Sequence, residues 1–429
     1  MLRRVVVGAA VVAAVGTAVA VLWPWSSDPS GGPAAAGGAL PIADSIEMFQ
    51  DRTRSDPRDA VSRTLLGELY AQLGRETGSN QAYAESAATL EEALDLLPEY
   101  TPAQQALART QLSRHRFDEA IELANGVLTD EPDVSDEMEA LATVVDAELG
   151  LGRLDDAGDD LARLLDLGAT SGALVREAQY LEMTGRQDEA MSAAQRALAT
   201  ARREGLSGER LAWFHWRVGD LHRHVGDVDQ AEELFRTALD VYPRFHLATE
   251  GLGDVASLRG DHTAALGWYE AAREVRPDDP ALLLTIAGTH EALGDQDAAE
   301  RVVDEAVEGW SPDLDRNVWG ADYASVFAEL GVETELAVEL ARDNLKSRQD
   351  PGSWELYARA LLQAGDLEEA RVAADKALVH GQQEPDWLVT SAQVWQGLGR
   401  LDQARADLER AVGINPTHQP SVELLAELG

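Results

Sequence analysis

The chain has 429 residues, with 76 acidic against 36 basic side chains, a formal net charge of -40, and no cysteine. Such a surface repels nucleic acid and anionic headgroups, and the missing cysteine excludes disulfides, thiolate nucleophiles, iron–sulfur clusters and Cys-ligated zinc. An apolar content of 45% is that of a folded chain, so global disorder is excluded too.

At the N-terminus, Arg3 and Arg4 precede an uncharged run from Val5 to Leu22. As a helix this run spans roughly 27 Å, close to a hydrocarbon core of about 30 Å. Trp23 and Trp25 stand where an interfacial aromatic belt belongs, and Pro24 ends the helix. Residues 1–25 therefore read as a signal-anchor with its N-terminus in the cytoplasm and the rest of the chain extracytoplasmic. A signal peptide cleaved near Ala20, followed by secretion, is the alternative. Residues 26–41, SSDPSGGPAAAGGALP, read as a flexible linker.

Residues 42–429 repeat one pattern. The segments GDVDQAEELFRTALDVYP, GDHTAALGWYEAAREVRP and GDQDAAERVVDEAVEGWSP start at Gly226, Gly260 and Gly294, each preceded by a helical stretch. The first glycine ends one helix, alanines such as Ala231 and Ala238 let a neighbour approach the next, and Pro243 closes the unit. The pattern resembles the tetratricopeptide repeat, a helix–turn–helix unit of about 34 residues. About ten units can be followed, after a lone second helix around Phe49 and before a capping helix in PSVELLAELG. The eighth unit, around Gly331, is the weakest, because it loses the usual small residues. The resemblance implies an all-α, right-handed α-solenoid whose first helices (helices A) line a concave groove. Extra residues in RETGSNQ, DEPDVSD, ATARREGLSGER and EGWSPDLDR predict long links, with sub-arrays at 42–205, 206–312 and 313–429.

HWRVGDLHRHVGD gathers three of the nine histidines. On a helix, His215 faces the paired helix, while His222 and His224 point about 200° apart and cannot chelate one ion together. Asp220 and His224 share a face, but two ligands are half a site. No metal or cofactor site is expected, and no Gly-x-Ser-x-Gly, phosphate loop or His-Glu-x-x-His occurs. A metal-dependent hydrolase using the region from His215 to His224 is the rival reading, and a pure structural spacer or self-assembling protein a third.

Register places Trp213, Trp216, Asp220, Arg223 and His224 in the groove, followed by Glu250, Asp254, Leu284 and Glu291 and preceded by Val175 and Glu182. The family's carboxylate clamp of Lys and Asn is absent, since its positions hold Gln105/Arg109, Trp216/Asp220, Glu250/Asp254 and Glu355/Arg359. The expected function is that of a non-catalytic interaction scaffold in the cell envelope, taking a protein or peptide segment of cationic character and no nucleic acid or small-molecule substrate.

Overall fold

A computed structural model describes residues 42–314 and 316–429. The expected anchor and linker lie outside the described residues. Among the described residues, no helix is long and apolar enough to cross a membrane.

A lone helix α1 (Ile42–Ser55) precedes ten antiparallel pairs. They are α2 (Ala60–Thr77) with α3 (Asn80–Leu96), α4 (Thr101–Ser113) with α5 (Phe117–Thr129), and α6 (Val134–Gly150) with α7 (Leu154–Leu167). Next come α8 (Ser171–Met183) with α9 (Gln187–Arg203), α10 (Gly208–His224) with α11 (Val228–Val241), and α12 (His246–Leu258) with α13 (His262–Arg273). Then follow α14 (Pro280–Ala292) with α15 (Gln296–Glu308), and α16 (Arg316–Leu330) with α17 (Thr334–Ser347). The last pairs are α18 (Pro351–Ala364) with α19 (Leu367–Ala377) and α20 (Pro385–Gly397) with α21 (Leu401–Ile414), capped by α22 (Gln419–Glu427). The fold is an all-α solenoid.

The repeated Gly-Asp pair explains how each turn is made. Gly226 takes φ +82°, and Asp227 N then donates back to His222 O at 2.9 Å, closing the end of α10. The Asp227 carboxylate in turn accepts from Gln230 N and caps α11. The same device recurs at Asp261 and Asp295, whose carboxylates accept from Ala264 N and Ala298 N.

Two expectations about spacing are corrected. Most of the extra residues lengthen helices and do not form long links. In the first pair α2 has 18 residues and α3 has 17, and α9 and α10 each have 17, so only residues 204–207 separate the latter two. The stretch ATARR is rich in helix formers, and Ala197 and Ala201 keep the buried stripe going. The eighth pair keeps one of its two small residues. At the first small position Ala337 of α17 is fully buried, displaced by one additional turn residue, with Glu333 left-handed at φ +44°, while the second position holds buried Asn344.

The chain divides into two compact units inside α8, between Tyr180 and Leu181. In the N-terminal unit, Leu90 packs on Gly67 and Phe117 on Gly150, where an added Cβ would lie 2.6 Å and 2.7 Å from those side chains. The unit also buries a charge pair: Arg176 on α8 donates to Asp146 Oδ2 at 2.5 Å, Ala142 O at 3.1 Å and Gly172 O at 2.9 Å. The C-terminal unit, residues 181–429, contains a continuous core from Ala265 to Val394. Within it α10 packs on α12, α14 on α16, α16 on α18, and α18 on α20, so helices A form its inner layer. A ring of Trp310, Tyr323 and Phe327 joins α16 to the segment before it, with Trp310–Tyr323 centroids 5.3 Å apart.

Candidate functional site

The inner layer of residues 181–429 carries a chain of charged side chains on helices A. On α10, helical spacing sets Trp213, Trp216, Asp220, Arg223 and His224 toward one side, but they do not share one role. Trp213 is 4% exposed and packs edge-on against Phe214 at 5.3 Å, so it belongs to the core and offers no open surface to a partner. Trp216 beside it is half-buried, with ring centroids 6.1 Å apart. α10 is a turn longer at its N-terminus than the repeat register predicts, and Trp213 lies buried in that turn. Leu284 and Val175, also placed in the groove by register, are buried in the core.

Asp220 is the centre of an ion network. It accepts from Arg223 Nε at 3.1 Å and Nη2 at 2.8 Å, and Arg217 stands 3.6 Å away. Burial works to raise its pKa, but His224, Arg223 and Arg217 together outweigh burial and hold it at about 2. Arg217 in turn binds Glu182 of α8, and Arg223 reaches Asp254 of α12 at 3.6 Å. Asp254 also accepts from the Tyr269 hydroxyl at 2.7 Å. Asp220, Arg223 and Asp254 are therefore structural as much as they are accessible, and replacing Asp220 would leave two buried guanidiniums short of a partner.

His215 is 2% exposed, and burial, with Arg202 beside it, depresses its pKa to about 4. It stays with the α9–α10 packing, and His222 pairs with Asp227 at 3.0 Å. The three histidines thus never meet in one site. Glu291, half-buried, accepts from Gln296 at 3.3 Å.

Glu250 lies on the same inner layer, one turn before Asp254. Its Oε1 is buried without a hydrogen-bond partner. Burial raises its pKa to about 8; Arg276 opposes this, and Asp279 and Asp254 add to it. Further along, burial lifts Asp322 to about 7, and Glu355 is raised by burial against the pull of Arg359. Glu355 accepts from Thr390 Oγ1 at 2.8 Å, while its Oε2 has no partner. Arg217, Asp322, Glu384 and Asp386 are the members sequence reading missed. Asp322 follows a long link that upsets the register, and Glu384 and Asp386 stand at the start of α20, where only the fold's return brings them in.

A stability consequence follows from Glu250. Its folded pKa lies above that of an unfolded glutamate, so the folded state holds an extra proton between about pH 4.5 and 8 and loses stability as pH rises through that window. Glu250→Gln is expected to flatten that slope and to raise the melting temperature at pH 9 by several degrees. Circular-dichroism melts from pH 5 to 9 check this; parallel curves for variant and wild type would refute the assignment.

Comparison with known proteins bears on the repeat. The tetratricopeptide repeat family models match residues 79–145, 219–280 and 390–418. Tetratricopeptide repeat protein 8 of Caenorhabditis elegans is 25% identical over 227 residues, 53% of this chain; the alignment covers 43% of that relative's length. A structure of the human IFIT1 dimer with PPP-AAAA aligns at a TM-score of 0.46 and 14% identity, covering 87% of this chain and 94% of that one. One of the APC/C hetero-tetramer Cut9–Hcn1 aligns at 0.33 and 12%, covering 90% and 93%. At those scores neither structure carries any argument about ligands.

Proposed function

This chain belongs to the tetratricopeptide-repeat family, and from that premise we propose that it is a non-catalytic, membrane-tethered scaffold that holds a cationic segment of another envelope protein. The segment lies along helices A of residues 181–429. The observation that supports this reading is carboxylate in excess of its partners: Glu250 Oε1 and Glu355 Oε2 are buried on this layer without hydrogen-bond donors. Buried acceptors of this kind are costly to leave unmade; a lysine or arginine side chain supplies the missing donors, and its charge favours release of the Glu250 proton. Half-buried Trp216 offers an aromatic face on the same inner layer. Residues 1–25 supply the tether by their apolar run, and residues 26–41 the reach.

Fluorescence anisotropy with labelled Lys/Arg-rich peptides tests the reading, with charge-reversed peptides as controls. Cationic peptides are expected to bind in a salt-dependent way, and Glu250→Gln with Glu355→Gln to weaken them at least tenfold while leaving helicity unchanged. Equal binding of acidic and basic peptides would sink the proposal. Crosslinked capture from native membranes then identifies the partner.

A further inference from the structure

The C-terminal unit closes on itself. Gln382 Nε2, in the link between α19 and α20, donates to Met183 O at 3.0 Å, and Gln383 Nε2 donates to Gly185 O at 3.2 Å. Asn415 Nδ2, after α21, donates to His224 O at 3.2 Å. These three amides satisfy backbone carbonyls at the ends of α8 and α10 that a helix leaves without intrahelical partners. The approach is backbone-close: a Cβ at Gly185 would lie 2.5 Å from His380 O, and one at Gly226 would lie 2.6 Å from Asn415 Oδ1.

That docking carries Glu384 to Glu182 at the end of α8 and His224 at the end of α10. One potential ligand atom from each of the three lies within 4.8 Å of the others. Two of these side chains hold buried polar atoms without hydrogen-bond partners. They are His224 Nδ1, on a side chain 10% exposed, and Glu182 Oε1, on one 13% exposed. Around them, Glu182, Asp220, Asp254, Glu384 and Asp386 contribute five carboxylates, and Arg217 and Arg223 only two guanidiniums. His418 turns to Asp386 at 3.0 Å and to Ser421, so it stays outside the trio.

We propose that Glu182, His224 and Glu384 bind one divalent transition-metal ion, of the zinc or manganese class, which pins the link before α20 to the ends of α8 and α10. One imidazole and two carboxylates suit such an ion better than magnesium or calcium, which favour all-oxygen sites. Ligand bonds of about 2.0–2.2 Å require the trio to draw together from its present spread. Coordination through Nδ1 places the imidazole proton on Nε2, which now faces Arg223 Nη2 at 3.1 Å. Arg223 then turns away from His224 and keeps its bonds to Asp220. The site completes what α10 alone supplies only in part: its third ligand comes from the start of the tenth pair.

Untagged full-length protein, stripped with chelator, is titrated calorimetrically with Zn²⁺, Mn²⁺ and Co²⁺, and Co²⁺ absorbance reports the ligand set. One ion per chain is expected, together with a rise of several degrees in the melting temperature. Glu384→Gln and His224→Gln should each weaken binding at least tenfold and alter the Co²⁺ spectrum, whereas His222→Gln should leave both unchanged. Apo melts verify that the variants fold, and Glu182→Gln replaces any that does not. Absence of stoichiometric binding, or binding that survives Glu384→Gln in a folded protein, overturns the proposal. Peptide capture through Glu250 and Glu355 is read separately, so either reading can fail without the other.

Discussion

Arg176→Met should destabilise the N-terminal unit by about 3–5 kcal/mol, because it strands a buried carboxylate whose ion-pair partner is that guanidinium. Arg176 and Asp146 are each about 3% exposed, and the arginine makes two further bonds, to Ala142 O and Gly172 O. Burial already raises the Asp146 pKa against the pull of Arg176, and losing the arginine raises it further. An acid whose folded pKa is raised costs stability as pH rises through that range, so the variant's defect should be largest at neutral pH and shrink toward acid. Urea unfolding at pH 5 and pH 8, with hydrogen exchange across α6 and α8, measures it. Asp146→Leu combined with Arg176→Met should recover most of the loss, since an apolar pair of similar volume avoids desolvating either charge. A defect independent of pH, or a double variant no better than the single, would show that packing and not charge dominates this site.

Phe235→Ala should cost the C-terminal unit a comparable amount, about 3–5 kcal/mol. Phe235 of α11 is fully buried between Gly219 of α10 and Gly251 of α12; added Cβ atoms there would lie 2.9 Å and 2.6 Å from its ring. One aromatic ring thus fills the space two glycines leave, and it fixes the separation of α10 and α12 on which the Arg223–Asp254 approach depends. Gly251→Ala is the converse experiment, overpacking the same site for roughly 1–3 kcal/mol. Melting temperatures of the three proteins decide the matter. A Phe235→Ala protein within a degree of wild type would mean that the helices collapse onto the space without loss.

Much of the fold was legible because the repeat restates itself. Gly226, Gly260 and Gly294 mark turn positions, the following aspartates cap the second helices, and alanines such as Ala231 and Ala238 mark close contact. What eluded the reading was where additional residues go. Helix propensity in ATARR adds a turn to α9, and the displaced Ala337 of α17 depends on a single left-handed residue, Glu333. In the candidate site, the choice of Asp220, His224, Glu250 and Asp254 follows from helical spacing. The burial of Trp213 does not, because spacing gives a direction on one helix but not what packs over that face.

The sequence by itself determined the local units, their number, the acid-rich character of helices A and the exclusion of cysteine chemistry, since each depends on residues a few turns apart. The tertiary structure alone decided that residues 181–429 close on themselves. Closure depends on the accumulated rotation of successive pairs, and only that brings Glu384 beside Glu182 and His224, and Gln382 and Asn415 onto carbonyls at the ends of α8 and α10. Such long-range meetings leave no period in the chain, because each partner is an ordinary residue in its own repeat.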